Sequence, residues 1–170
     1  MTDELEMFLN LWDTEARKTV GLLRALPPNQ YDFRPDAGGR SVGELAWHLA
    51  EVDAYTTLRI EEGASSQGGK PPGIDRPKMV AALAPGYERI HADAAARVRR
   101  LTVADLDRKV RDFSGAERPI REQLWSGVLL HAVHHRGQLS VLCRLAGAAA
   151  PGLFGPNREE TAALRAKRAG

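Results

Sequence analysis

The stretch LLHAVHHRGQLSVLCRLAG, residues 129–147, carries three of the five histidines of the chain among mostly apolar neighbours. His131 and His135 are four residues apart. An α-helix turns about 100° per residue, so their side chains project from one face, one turn apart. Two histidines at this spacing form a recurring half-site for a divalent metal ion. His134 lies at the edge of that face and is less well aimed.

A third histidine, His48, stands on the apolar row of an earlier segment, between Leu45 and Val52. If the two segments are helices that face each other, three imidazoles converge in the interior. Burying them without partners is costly, whereas a metal ion is well matched to neutral imidazole. Three protein nitrogens and one open position are typical of a catalytic metal site. The sequence therefore predicts metal binding by His48, His131 and His135; the alternative is that each is a hydrogen-bonded core residue.

Other residues are weaker candidates. Glu88 and His91 have the Glu-x-x-His spacing of di-iron bundles, but such sites need a second pair and two more inward glutamates, so we expect His91 at the surface. Cys143 lies about 12 Å along the helix axis from His135 and is expected in the core. A capping box explains Glu44 at least as well as contact with the site does. The sequence contains no nucleophile elbow, phosphate-binding glycine loop or paired-cysteine zinc motif.

The elements that must position these residues are helices. Apolar residues recur at intervals of three and four, and no strong period-two run of β-branched residues occurs. Long helices are expected at about 3–26, 41–62, 77–101 and 120–147, with a shorter one at about 157–167. Pro85 should kink or break the start of the third helix, and the stretch RKVRDF is compatible with extended backbone. The pattern favours an all-α four-helix bundle with long crossovers at 27–40 and 63–76.

Length and composition narrow the class of protein. The 170 residues suit a single domain, 1–170, in which the part after about residue 147 is a tail or short extra helix. A formal net charge of +2 is too small to indicate nucleic-acid binding. No long uncharged apolar run predicts a membrane span. The acidic N-terminus is unlike a secretory signal, and the single cysteine is typical of a reducing compartment. We therefore expect a cytoplasmic protein.

Two stretches resemble the DinB/YfiT-like family of bundle proteins: RPDAGGRSVGELAWHLAEVD, residues 34–53, and HAVHHRGQLSVLCRLAG, residues 131–147. The resemblance extends from the first helix to about residue 147. It implies a four-helix bundle, often a homodimer, and a divalent metal held by three histidines. The family's positions fall on His48, His131 and His135.

The His-His-Arg-Gly-Gln signature of that family also includes Arg136, Gly137 and Gln138. We expect Arg136 to pair with an acidic residue from another helix and Gly137 to permit a close approach between helices. His134 is then either structural or a residue that supports the ligands from behind.

The resemblance implies several functions. Similar proteins include thiol-dependent S-transferases and isomerases, in which a low-molecular-weight thiol would be activated by the metal to attack an electrophile. A hydrolase that activates water is the second possibility, and a non-catalytic metal-binding stress or interaction module is the third. Of Glu44, Glu51 and Asp53, only Glu44 shares the row of His48, and the lack of an obvious general base favours thiol chemistry. One ion per chain is expected, with zinc, nickel or iron all suited to imidazole.

Overall fold

Helices make up most of the described chain. The computed structural model describes residues 3–63 and 69–169, so residues 64–68 of the second predicted crossover lie outside the described residues. The first three α-helices are α1 (Glu4–Ala25), α2 (Val42–Glu62) and α3 (Leu83–Val98). The fourth helical run is continuous and consists of α4 (Ile120–Glu122), a π-helical segment (Gln123–Leu130) and α5 (His131–Leu145). α6 (Arg158–Ala169) follows it. The predicted all-α bundle with a short C-terminal helix is confirmed.

Local hydrogen bonds set the ends of α1 and α2. The Glu6 amide donates to the Asp3 carboxylate at 2.8 Å, which caps the start of α1. The helix ends before Leu26, whose backbone is extended ahead of two prolines. At α2, the Glu44 amide donates to the Ser41 hydroxyl at 3.2 Å, and the Ser41 amide donates to the Glu44 carboxylate at 2.8 Å. The predicted capping box is therefore confirmed.

α3 begins later than the predicted start near residue 77. A 3-10 turn, Val80–Ala82, precedes it, and the α-helix starts at Leu83. Pro85 consequently lies in the first turn, where a missing amide N–H removes no intrahelical hydrogen bond. The expected break in the early part of this segment is observed.

The π-helical segment in the fourth helical run has no counterpart in the sequence-based prediction. It spans Gln123–Leu130 and leads directly into α5. Hydrogen bonds from residue i+5 to residue i make a π-helix wider than an α-helix, and such segments are frequent at functional sites. Here the segment lies immediately before His131, so it sets the rotation at which α5 presents its histidines.

A two-stranded hairpin connects α3 to the fourth helical run. β1 (Lys109–Arg111) pairs antiparallel with β2 (Glu117–Pro119). β1 lies in the stretch RKVRDF that was compatible with extended backbone, whereas β2 was not predicted. Gly115 at the turn has a φ of +85°, a conformation that favours glycine. The Gln123 side chain donates to the carbonyl of Val110 at 2.8 Å. This bond fastens the hairpin to the π-helical segment.

Buried apolar side chains fill the bundle in two clusters. One surrounds Trp47 and reaches α5, and the other surrounds Trp12 and reaches the π-helical segment. Cys143 is fully buried, as predicted. Within the described ranges, no helix has both the length and the apolar character needed to cross a bilayer.

Arg136 ties α5 to α1. Its guanidinium donates to the Glu15 backbone carbonyl at 2.7 Å and pairs with the Glu15 carboxylate, and both side chains are almost completely buried. The predicted pairing with an acidic residue of another helix is confirmed. The expectation for Gly137 is wrong: this residue is exposed, and a Cβ there would meet no atom within 4 Å. Close approach occurs instead at Gly86, where a Cβ would lie 2.7 Å from the Trp47 ring.

Candidate metal site

Three imidazoles come together where α2 faces α5. His48 projects from α2, and His131 and His135 project from α5. One ring nitrogen of each lies within 4.8 Å of one nitrogen of the other two. The ring centroid of His48 is 5.5 Å from that of His131 and 4.6 Å from that of His135. The expected convergence is observed, and metal binding by the cluster stays a prediction.

Two of the three imidazoles have a hydrogen-bond acceptor on their own helix. The contacts are His48 Nδ1 to Glu51 Oε2 at 3.2 Å and His135 Nδ1 to Gln138 Oε1 at 2.7 Å. An ionised carboxylate or a carbonyl oxygen only accepts, so each contact places a proton on the nitrogen that it engages. Acceptors of this kind fix the tautomer of metal-binding histidines. They leave Nε2 of His48 and Nε2 of His135 as lone-pair donors.

The arrangement of His131 and His135 is compatible with a cation bound by both rings. Their Nε2 atoms are 2.8 Å apart, and Nδ1 of His135 is engaged by Gln138. With His135 neutral, its Nε2 lone pair therefore faces Nε2 of His131. A tetrahedral zinc site with Zn–N bonds of about 2.0–2.1 Å places its ligand nitrogens about 3.3 Å apart. A small outward movement of the two rings would fit such an ion.

Burial keeps these two imidazoles neutral. It lowers the pKa of His135 to about 4, against the opposing effect of the hydrogen bond to Gln138. Burial also lowers the pKa of His131, helped by the neighbouring charge of His48 and opposed by the hydrogen bond to Gly127. Neutral imidazole is the form that binds a metal. At neutral pH the lone pairs of His131 and His135 are thus free for a metal rather than taken by a proton.

Glu51 is a functional candidate that the sequence-based reasoning placed off the row of His48. The structure corrects this: Glu51 contacts His48, whereas Glu44 caps α2 and pairs with Arg34 at 3.3 Å. The hydrogen bond from His48 lowers the pKa of Glu51, and Arg76, which donates at 3.2 Å, acts in the same direction against burial. The i,i+3 spacing of His48 and Glu51 was the available signal.

Gln138 and His134 lie beside the cluster rather than in it. The Gln138 amide nitrogen is 3.1 Å from His134 Nε2, while its oxygen contacts His135. His134 is exposed. It therefore contacts the amide that orients a candidate ligand, which is one of the two roles that the sequence left open.

The histidine cluster opens onto a cleft of about 850 Å³. Its walls come from α2, the tip of the hairpin and the π-helical segment, and both His131 and His135 line it. A volume of this size accommodates a small metabolite. The described residues offer three imidazoles on one side of this space and no fourth histidine, cysteine or carboxylate in the same cluster, so one coordination position would face the cleft.

The prediction that His91 lies at the surface is wrong. It is buried, with Nδ1 2.9 Å from Asp53 Oδ2 and Nε2 3.0 Å from Asp13 Oδ1. Burial acts to lower the pKa of His91, but the hydrogen bonds and charges of the two aspartates outweigh it and raise the pKa. A doubly bonded imidazole of this kind joins α1, α2 and α3. It has no free nitrogen for a metal.

A family model for the DinB superfamily matches residues 11–139, which is most of the chain. The chain belongs to the DinB superfamily. This DinB-superfamily chain is 29% identical over 167 residues to the uncharacterized protein YrdA of Bacillus subtilis strain 168, and the alignment covers 95% of each chain.

Solved structures share the fold. A DinB-like protein from Bacillus cereus superimposes with a TM-score of 0.71 and 27% identity, over 91% of this chain and 100% of that one. A mycothiol-dependent maleylpyruvate isomerase superimposes with a TM-score of 0.59 and 16% identity, over 88% of this chain and 63% of that one. The second likeness shows a common fold alone.

Proposed function

We propose that this DinB-superfamily protein is a divalent-metal-dependent enzyme that transfers or adds a low-molecular-weight thiol to a small electrophile. The observation that carries the proposal is the convergence of His48, His131 and His135 on one side of an open cleft, with Nδ1 of His48 and Nδ1 of His135 each held by an acceptor. The thiol dependence named for the distant structural neighbour supports this choice of chemistry.

The metal would supply one function: a divalent ion held by three imidazoles lowers the pKa of a thiol that takes its open position. The protein residues do the rest. Glu51 holds the proton on His48 Nδ1, and Gln138 holds the proton on His135 Nδ1, so the Nε2 lone pair of each ring would be available to an ion. The cleft walls would position the electrophile beside it.

The carboxylates of the cleft favour thiol transfer over hydrolysis. Water activation is helped by a free carboxylate that can take a proton. Glu51 is engaged by Arg76 at 3.2 Å, and Arg118 engages both Asp112 at 3.0 Å and Glu122 at 2.7 Å. All three acidic residues that line the cleft are therefore occupied, whereas a thiol needs no separate base once the metal lowers its pKa.

A turnover screen tests the proposal. Protein loaded separately with zinc, nickel or iron is assayed with cysteine, N-acetylcysteine and glutathione against epoxides, aryl halides and unsaturated acids, and with esters and amides alone. We expect metal-dependent thiol consumption that His131→Ala abolishes and His134→Ala retains. Ester or amide turnover without thiol would overturn thiol transfer in favour of a hydrolase. No turnover in any loaded preparation would leave a non-catalytic metal-binding module.

Assembly and location stay predictions. The family resemblance implies a homodimer, which sedimentation of the purified chain would check, and the composition favours the cytoplasm.

A further inference from the structure

Two of the arginines that line the cleft have no partner in the described part of the chain. Among residues 3–63 and 69–169, neither Arg40 nor Arg59 makes a hydrogen bond or ion pair through its side chain. The third cleft arginine, Arg118, is held by two carboxylates. Unpaired guanidinium groups in a concave site are suited to bind a carboxylate or phosphate, which they engage with two parallel hydrogen bonds.

Of the two arginines, Arg59 is the stronger candidate for an anion-binding residue of this cleft. It is partly buried and lines this cleft, whereas Arg40 is exposed and is shared with a neighbouring apolar groove. Arg59 follows His48 by eleven residues on α2. Eleven residues return the helix to within about 20° of the same face and advance it by about 16 Å. Arg59 therefore stands on the same wall as His48, at the far end of the cleft.

The surface between these two ends is largely apolar. Val52 and Tyr55 of α2 line the cleft between His48 and Arg59, and Phe113 at the hairpin tip faces the same space with most of its ring exposed. A cleft with a candidate metal site at one end, an apolar middle and an unpaired cation at the other selects an elongated molecule. Its reactive group and its charge must lie at opposite ends.

We propose that Arg59 binds the anionic end of an elongated substrate whose thiol lies at the histidine cluster, so that the natural thiol carries a carboxylate, or another anion, distant from its sulfur. The position of the sulfur rests on the proposed function. The anion subsite rests on Arg59, the apolar wall and the cleft alone.

A homologous series of probes tests this proposal. The probes are mercaptoacetate and longer straight-chain ω-mercaptocarboxylates, each with its neutral primary amide, titrated calorimetrically into the zinc-loaded protein. We expect long acids to bind about ten- to a hundredfold more tightly than their amides, because a hydrogen bond to a charged group is lost in the amide. The shortest acid, which cannot span the cleft, should show little preference over its amide.

Arginine substitutions test whether Arg59 causes the preference for acids over amides. Arg59→Gln should abolish the acid preference of the long probes without changing the affinity for the amides, and Arg59→Lys should retain part of it. Arg165→Gln, an exposed site on α6 with the same change in net charge, should leave the preference intact. Equal affinity of wild type for acids and amides, or an unchanged preference in Arg59→Gln, would overturn the proposal.

A second titration separates this proposal from the metal proposal. Suberate, a dicarboxylate without a thiol, is titrated into protein stripped of metal. Arg59-dependent binding of suberate supports the anion subsite even if zinc never binds and the proposed function fails. If zinc binds but neither suberate nor the long acids depend on Arg59, the subsite is wrong and the proposed function is untouched.

Discussion

Replacing Glu51 with glutamine should weaken metal binding because it removes the charge that holds the proton on His48 Nδ1. Changes to such supporting carboxylates usually cost about 10–100-fold in metal affinity, or about 1.4–2.8 kcal/mol. The His48–Glu51 contact is 3.2 Å, long for a charge-assisted bond, and the Glu51 side chain is 24% exposed. Both features place the expected loss near the lower end, at about tenfold.

Competition for zinc with a chromogenic chelator measures this loss. Glu44→Gln is the matched control, because Glu44 lies on the same helix one turn before His48 but contacts Ser41, Arg34 and Arg76 instead. Glutamine also preserves a capping box, so α2 should keep its start. We expect unchanged zinc affinity in this control. Equal affinity of Glu51→Gln and wild type, or an equal loss in both variants, would refute the assigned role of Glu51.

Three further predictions concern stability. Because the pKa of His91 is raised, the stability that protonated His91 contributes is complete below about pH 6.5 and is lost as the pH rises through its folded-state pKa. His91→Gln should therefore lower the free energy of unfolding in urea more at about pH 6 than at about pH 9. An equal loss at both pH values would contradict the pairing of a protonated His91 with Asp13 and Asp53. Arg136→Met should lower the free energy of unfolding by about 3 kcal/mol, because it leaves the buried Glu15 with Lys18 as its ion-pair partner and removes the buried guanidinium. Adding Glu15→Gln should restore most of this loss in urea unfolding; no restoration would show that the loss comes from packing. In the metal-free protein, the lowered pKa of His135 lets the unfolded chain bind a proton that the folded chain does not, between about pH 6.5 and about 4. Stability should fall through that window as the pH drops, and His135→Gln should reduce the fall; an unreduced fall would contradict a low pKa for His135.

Helical phase accounts for what the sequence predicted about the cluster. His131 and His135 share a face in any α-helix, and His48 shares the apolar row of α2, so their convergence needs only that the two rows face each other. The pairing of Arg136 followed only from its charge and its place in the family signature, since a buried guanidinium requires a partner; helical phase did not show that Arg136 faces α1.

Other features depend on packing that the sequence does not display. His91 is buried because Asp53 and Asp13 approach it from two other helices, and a one-dimensional pattern does not show that both carboxylates face it. The π-helical segment depends on a change of hydrogen-bond register rather than on a distinctive residue type. Gly137 stands on an exposed face, so its presence in the signature has no packing explanation in this structure.

The most direct test of the central claim is metal stoichiometry combined with X-ray absorption spectroscopy of the zinc-loaded protein. The account predicts one zinc per chain, with three imidazole nitrogens at about 2.0–2.1 Å and one exchangeable ligand. His48→Ala should abolish this binding, although His48 lies on a different helix from the other two histidines, while His134→Ala should not. Zinc binding that is absent in wild type, or that persists unchanged in His48→Ala, would contradict the three-histidine site.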